Sequence, residues 1–144
     1  MKRWLVVAMI VVGLLLVFVG GGSDRGQASG PKLASDRVLA DAYADQLSDL
    51  QVQGGGTVIA VLPDDNKGSR HQRFVLRLES GQTLLIAHNI DLAPRIERLR
   101  EGDFITFSGE YEWNPEGGVV HWTHRDPAGR HADGWLQRAG QIYR

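Results

Sequence analysis

The chain has 144 residues and a net charge of −1, with five histidines and no cysteine. The length suits one domain, and the near-neutral charge provides no overall attraction to nucleic acid or to anionic membranes. The absence of cysteine excludes disulfides, thiolate chemistry and a lipidated N-terminal cysteine. Any metal site must therefore use His, Asp, Glu or backbone oxygen as ligands.

The N-terminus has the pattern of an export signal or a membrane anchor. Lys2 and Arg3 precede an unbroken apolar run from Trp4 to Val19, which three glycines follow. A basic start, an apolar stretch and small residues are typical of secretory signals, and the run is close to the length of a membrane span. We expect residues 1–22 to be a cleaved signal or a retained anchor, with 4–22 in the membrane if uncleaved. The domain is then periplasmic, or anchored in the inner membrane and facing the periplasm.

A polar linker and an amphipathic helix are expected next. Residues 23–34 contain Gly, Ser and Pro, a composition that predicts a flexible tether. Ser35 is a suitable N-cap, and a helix is expected from there to about residue 50, within a segment spanning 35–53. Four apolar residues recur on one face at helical spacing: Leu39, Tyr43, Leu47 and Leu50.

Strand signals dominate the remaining chain after a predicted break at Gly54–Gly56. Alternating or β-branched runs predict five strands near 57–62, 71–78, 83–87, 104–113 and 119–123. Ser80 and Gly81 predict a tight turn that joins the second and third strands in a hairpin. The apolar residues of the tail, 125–144, are expected to pack back onto the core.

The predicted fold is mainly β, a small five-stranded OB-like barrel over residues 54–144. A short helix is expected at Leu92–Leu99, between the third and fourth strands, with Asp91 as its N-cap. The amphipathic helix and the N-terminal hydrophobic segment precede this barrel.

The histidines all lie between positions 71 and 131. His71 opens the second predicted strand and His88 closes the third, so the hairpin places them at the same end of the barrel. Histidine is the usual acid or base near neutral pH and the commonest metal ligand. The same rim is expected to collect further polar residues: Asp64, Asp65 and Arg70.

A second group of histidines begins within the last predicted strand and offers a candidate site for a divalent metal. His121 and His124 point to opposite faces of a strand, so they meet at one ion only if the strand ends near Thr123. With His131 they form the predicted metal ligands, although H-x-x-H lacks the context of an established zinc motif.

Three functions are open at this stage, and a binding module is favoured over a hydrolase. The module would bind an anionic or oligomeric ligand, either nucleotide or saccharide, through a His, Arg and aromatic site: Arg73, Trp113, His121 and Arg125. The alternative is a phosphodiesterase or nuclease, with or without a divalent metal, whose catalytic residues would be His71, His88, His124 and Asp126. A purely structural envelope protein, with structural histidines, is the third.

Several strings in this region resemble those of a known family. They are LPDDNKGSRHQRF at 62–74, LIAHNIDLAPRI at 85–96, GEYEWN at 109–114 and GGVVHWTHRDP at 117–127. They resemble an uncharacterised bacterial family, domain of unknown function number 3465, over Gly54 to Tyr143. The resemblance implies a short exported bacterial protein and implies no activity.

Overall fold

The computed structural model describes residues 31–144, which form one helix followed by seven strands. The elements are α1 (Pro31–Ala44), β1 (Leu50–Asp65), β2 (His71–Arg77), β3 (Thr83–Asn89), β4 (Phe104–Glu112), β5 (Val119–His121), β6 (Trp135–Arg138) and β7 (Gln141–Tyr143). The predicted signal or anchor at 1–22 and most of the tether lie outside the described residues. Within the described part of the chain, no helix is long and apolar enough to cross a membrane.

Helix α1 starts and stops earlier than the sequence pattern predicts. It begins at Pro31, where the fixed φ of proline suits the first turn of a helix. It ends in a Schellman motif, in which the N–H of Leu47 donates to the Ala42 carbonyl (3.0 Å) and that of Gln46 to the Tyr43 carbonyl (3.3 Å). Gln46 takes the left-handed conformation (φ 54°) that this motif requires. The helix therefore cannot continue to residue 50.

Strand β1 runs straight through the three glycines that were expected to break it. Gly54 and Gly56 pair with Phe107 and Ile105 of β4. A Cβ added at Gly54 would lie 2.8 Å from the Phe107 ring, and one at Gly56 would lie 2.7 Å from the Arg77 carbonyl oxygen. The glycines therefore allow close packing within a strand, and the predicted break is wrong.

The strands form one seven-stranded sheet whose pairings close a ring through five of them. The order is β1-β2-β3-β5-β4-β6-β7, and β1 also pairs with β4, which closes the ring β1-β2-β3-β5-β4. All pairs are antiparallel except β3–β5. The mainly β prediction and the β2–β3 hairpin are confirmed, with its turn at Gly81 (φ 92°). The buried faces of these strands and of α1 form one apolar core.

The helix predicted at Leu92–Leu99 is wrong, because residues 90–100 form turns and irregular chain. Gln72, buried on β2, donates from Nε2 to the Ile96 carbonyl and accepts from the Ile96 N–H, both at 2.9 Å. The intended N-cap Asp91 instead accepts from the backbone and side chain of Arg70. These long-range bonds use the backbone groups that a helix would need.

The tail packs onto the core, as expected, but does so as two additional strands. β6 pairs with β4 through Leu136↔Phe107, and β7 pairs with β6. Leu136 is fully buried, and Tyr143 is buried near the C-terminus. The tail is therefore part of the folding unit.

Replacement of Leu136 tests how much the tail contributes to stability. Leu136→Ala is expected to lower the free energy of unfolding by about 2–5 kcal/mol, because the change removes buried apolar contact and leaves a cavity. Urea denaturation of the wild type and the variant measures the difference. Ile142→Ala, which truncates an exposed tail residue, is expected to change the same quantity by less than about 1 kcal/mol. A Leu136→Ala effect equally small would show that the tail adds nothing to the core.

Candidate metal centre

The β4–β5 hairpin brings two glutamates and one histidine together on the outer face of the sheet. Glu110 and Glu112 share that face because they are two residues apart on β4. Glu110 pairs directly with His121 of β5. The Nε2 atom of His121 lies 3.4 Å from Glu110 Oε2 and 3.3 Å from Glu112 Oε1. One ligand atom from each of the three residues lies within 4.8 Å of the others.

A loop between β5 and β6, residues 122–134, adds a second histidine to this cluster. The ends of the loop lie close together, since the Gly134 N–H donates to the His124 carbonyl at 2.9 Å. His131 Nε2 lies 3.3 Å from Glu110 Oε2, the same oxygen that faces His121. The His131 ring stacks on Trp122 with centroids 4.0 Å apart and planes 8° apart.

Asp126 determines the shape of this loop. Its carboxylate accepts hydrogen bonds from the backbone N–H groups of Ala128, Arg130 and His131, at 2.8–2.9 Å. Hydrogen bonds from the Ala128, His131 and Arg130 backbones lower the pKa of Asp126, so the carboxylate is ionised at neutral pH. The sequence predicted a catalytic Asp126. The structure shows it holding the chain that carries His131.

The tautomer of His131 follows from its second ring nitrogen. Nδ1 lies 2.8 Å from the Ala132 carbonyl oxygen, which can only accept, so Nδ1 must carry the proton. In the neutral ring, Nε2 then presents a lone pair to the Glu110 carboxylate, and two acceptors face each other. Metal-bound histidines usually donate their other N–H to a carbonyl or carboxylate in this way. A cation between Nε2 and the carboxylate would resolve the contact.

The His121 ring lies on the other side of Glu110, and its Nε2 atom is unpartnered, since it makes no hydrogen bond within the described part of the chain. The same atom is enclosed. The 3.3–3.4 Å separations in the cluster exceed the roughly 2.7–2.9 Å of a charge-assisted hydrogen bond. Each of these three contacts is close to the edge, about 3.3 Å, of a tetrahedron around an ion with bonds of about 2.0–2.1 Å, and the mutually close ligand atoms are those of Glu110, Glu112 and His121.

The three predicted metal ligands therefore separate into two groups. His121 and His131 lie in the cluster. His124 is buried, with its Nδ1 2.7 Å from the Arg125 carbonyl and its ring tilted against Trp122 at 5.3 Å. Its position indicates a structural role within the loop.

The two histidines of the predicted catalytic rim do not share a site. Gln72 and His88 pair across the β2–β3 hairpin and are both buried, so the adjacent His71 faces the other side of the sheet. His88 Nδ1 lies 2.7 Å from Thr123 Oγ1 and Nε2 lies 3.0 Å from the Pro94 carbonyl. His71 Nδ1 lies 2.8 Å from the Ser69 carbonyl.

The carboxylates of the same rim are already engaged. Asp64 forms an ion pair with Arg95, and Asp65 accepts from the backbone N–H of Lys67 at 3.0 Å. Arg70 pairs with Asp91 at 2.7 Å. Each carboxylate therefore stabilises a turn or loop.

The predicted ligand-binding residues are dispersed. Arg73 Nε donates to the Pro63 carbonyl at 3.0 Å, toward β1. Trp113 Nε1 donates to the Tyr43 carbonyl at 3.1 Å, and the two rings stack with centroids 6.4 Å apart, which fixes the end of α1 to the sheet. Arg125 is exposed on the loop. Of that predicted set, His121 alone belongs to the cluster.

Sequence reasoning missed Glu110 and Glu112 as members of this cluster. A signal was present, because an E-x-E pair on one strand and a histidine on the next face each other when the turn between them is short. The turn at Asn114 is short, since its side-chain oxygen accepts from the N–H groups of Glu116 and Gly118. The relative register, which places His121 opposite Glu110, was the missing information.

The chain belongs to the family described as "Protein of unknown function (DUF3465)", whose model matches residues 25–144. The match begins before α1, so it spans more of the chain than the predicted Gly54–Tyr143. No curated protein matches the chain.

Proposed function

We propose that this domain binds a divalent first-row transition-metal ion through the metal cluster of Glu110, Glu112, His121 and His131. The observation that supports it is the enclosed His121 Nε2, which lies 3.3–3.4 Å from both Glu110 and Glu112 without a hydrogen bond within the described residues, with His131 Nε2 3.3 Å from Glu110. Imidazole favours Zn²⁺, Cu²⁺, Fe²⁺ and Ni²⁺ over Ca²⁺ and Mg²⁺. Two carboxylates would balance the charge of the ion.

The role that this site supports best is that of an exported binding module. A metal ion on the outer face of the sheet is accessible to solvent, because Glu112 and His121 are only partly buried. Because zinc can expand from four to five ligands, such an ion can also coordinate an oxygen of an anionic ligand. This proposal keeps the binding role expected from the sequence and places it at the β4–β5 hairpin.

Zinc titration of the purified full-length chain tests the proposal. After removal of bound metal with a chelator, isothermal titration calorimetry is expected to show one zinc equivalent bound. Glu110→Gln and His121→Asn are expected to weaken binding by more than the roughly 10- to 100-fold loss caused by changes to outer partners of a metal site. His131→Asn should also weaken binding.

Matched variants elsewhere in the chain control for nonspecific binding. Glu101→Gln and His71→Asn remove one exposed carboxylate and one half-buried imidazole outside the cluster, and both are expected to bind zinc like the wild type. If the cluster is only an ion-pair network, the wild type binds no zinc, or the cluster variants bind as well as the controls. Either result refutes the proposal.

Phosphodiester hydrolysis is the second candidate. It is favoured by the three mutually close atoms of Glu110, Glu112 and His121, since three protein ligands and one open position are typical of catalytic zinc. Hydrolysis of bis(p-nitrophenyl) phosphate by the zinc-loaded chain, lost in Glu112→Gln, would support it. His88 is not available as a base, because both of its ring nitrogens are bonded internally.

We further propose that the closed ring of five strands is an OB-like barrel, and that the domain acts outside the cytoplasm. The basic and apolar pattern of residues 1–22 supports export, with a periplasmic or membrane-anchored product. Fractionation of cells that produce the full chain tests this. Recovery of the domain in the cytoplasm would contradict export.

A further inference from the structure

A cleft away from the metal cluster collects several arginines. Two adjoining depressions share Arg98 and Arg138 and lie between the loop before β4 and the β6–β7 hairpin. The two depressions are also lined by Arg95, Arg100 and the exposed Phe104. This region, the arginine cleft, has no role in the proposed metal site.

Two of the four arginines are fixed parts of the wall. Arg138 forms an ion pair with Asp103 (3.3 Å) and donates to the Glu97 carbonyl (2.8 Å). Arg95 pairs with Asp64. Their positive charges are therefore largely compensated, and their main effect is to hold the loop against the sheet.

The other two arginines are available for a ligand. Arg98 makes no ion pair or hydrogen bond within residues 31–144, and it holds a left-handed backbone conformation (φ 53°). Non-glycine residues rarely adopt that conformation unless the surroundings enforce it, and such strain is concentrated at ligand sites. Arg100 has an 85% exposed side chain whose only ion pair, to Asp103, is long at 3.9 Å.

We infer that the arginine cleft binds a nucleoside phosphate, with Arg98 and Arg100 on the phosphate and Phe104 against the base. Guanidinium groups match phosphate oxygens in a planar, bidentate way. The Phe104 side chain is 44% exposed in the same depression, and an aromatic face stacks on any base. A phosphate group next to a base occurs both in a free nucleotide and in a single strand of nucleic acid, so either could be the ligand.

Fluorescence anisotropy with a labelled oligothymidylate tests this on the full-length chain, in EDTA so that the metal site does not contribute. The Arg98→Gln/Arg100→Gln variant is expected to bind about tenfold more weakly at low salt. Its salt dependence, the slope of log K against log salt concentration, should shrink by about 1.4 for two lost phosphate contacts. Arg37→Gln/Arg125→Gln removes the same charge at exposed positions outside the cleft and should bind like the wild type.

Phe104→Leu separates nucleotide recognition from general attraction to polyanions. It should weaken oligothymidylate binding about tenfold, with the thermal midpoint checked for folding, and leave dextran sulfate binding unchanged. Competition by thymidine monophosphate at similar affinity identifies a free nucleotide as the ligand, and failure to compete identifies a strand. Absence of oligothymidylate and nucleotide binding, or equal binding by the cleft and control variants, overturns the inference.

Discussion

Gly134→Ala is expected to be among the most damaging single substitutions in the chain, lowering the free energy of unfolding by about 3 kcal/mol. An added Cβ would overlap the Trp122 carbonyl oxygen and lie 2.5 Å from that of Ser108. Both obstacles are backbone atoms, so relief requires movement of β4 or of the loop that carries His131. Urea denaturation measures the stability, and zinc titration should show weaker binding in the same variant.

Gly129→Ala is the matched control in the same loop. Unlike Gly134, Gly129 has a positive φ (65°), and no heavy atom lies within 4 Å of a Cβ added there. Its cost is then backbone strain alone, about 1 kcal/mol. Equal losses in the two variants would show that the close approach at Gly134 does not matter.

A pH-dependent loss of stability is the second large effect, and it arises from His88. Burial, as the main cause, and the electrostatic effect of the neighbouring His124 and His71 side chains lower the pKa of His88 from 6.5 to about 4. The Pro94 carbonyl can only accept, so Nε2 carries the proton and Nδ1 accepts from the Thr123 hydroxyl. The fold therefore holds the neutral ring.

The sign of the effect follows from the lowered pKa. Above pH 6.5 the ring is neutral in both states and the full stability is present. As pH falls from 6.5 to 4, the unfolded chain binds the proton more readily than the folded one, so stability declines. At about 1.4 kcal/mol per pKa unit, the loss is about 3 kcal/mol.

Urea denaturation at pH 7 and pH 4 measures this loss. The His88→Gln variant keeps a side chain able to donate and accept hydrogen bonds. It should lack the part of the stability loss between pH 6.5 and 4 that arises from His88 protonation. Asp91 and Asp126 have pKa values below 3.8 because backbone N–H groups bond to them, so their contributions are lost at lower pH. If the wild type and His88→Gln lose the same stability down to pH 4, the assigned role of His88 is wrong.

The sequence predicted the elements whose information is local. The β2–β3 hairpin was recognised from alternation around Phe74 and from the turn at Gly81, and the structure has the same pairing. Elements decided by distant residues were mispredicted. Ile96 lies in a segment with helical spacing, but Gln72, from another strand, takes both of its backbone groups.

The candidate site likewise combines features that are local in the sequence with features that depend on strand pairing. All three histidines were candidate metal ligands by residue type, but only His121 and His131 lie beside Glu110, whereas His124 is buried within the loop. Glu110 became part of the site through the β4–β5 register. The function of a histidine here depends on which face of a strand it occupies, and one sequence does not specify that.

The local origin of the metal cluster has a thermodynamic consequence. Glu110, Glu112 and His121 come from one hairpin, so bringing them together closes only a short loop and costs little chain entropy. The unfolded chain should therefore retain some affinity for the ion. Binding to both states reduces the stabilisation that a ligand provides, and zinc should raise the unfolding midpoint by less than its affinity for the folded domain would suggest.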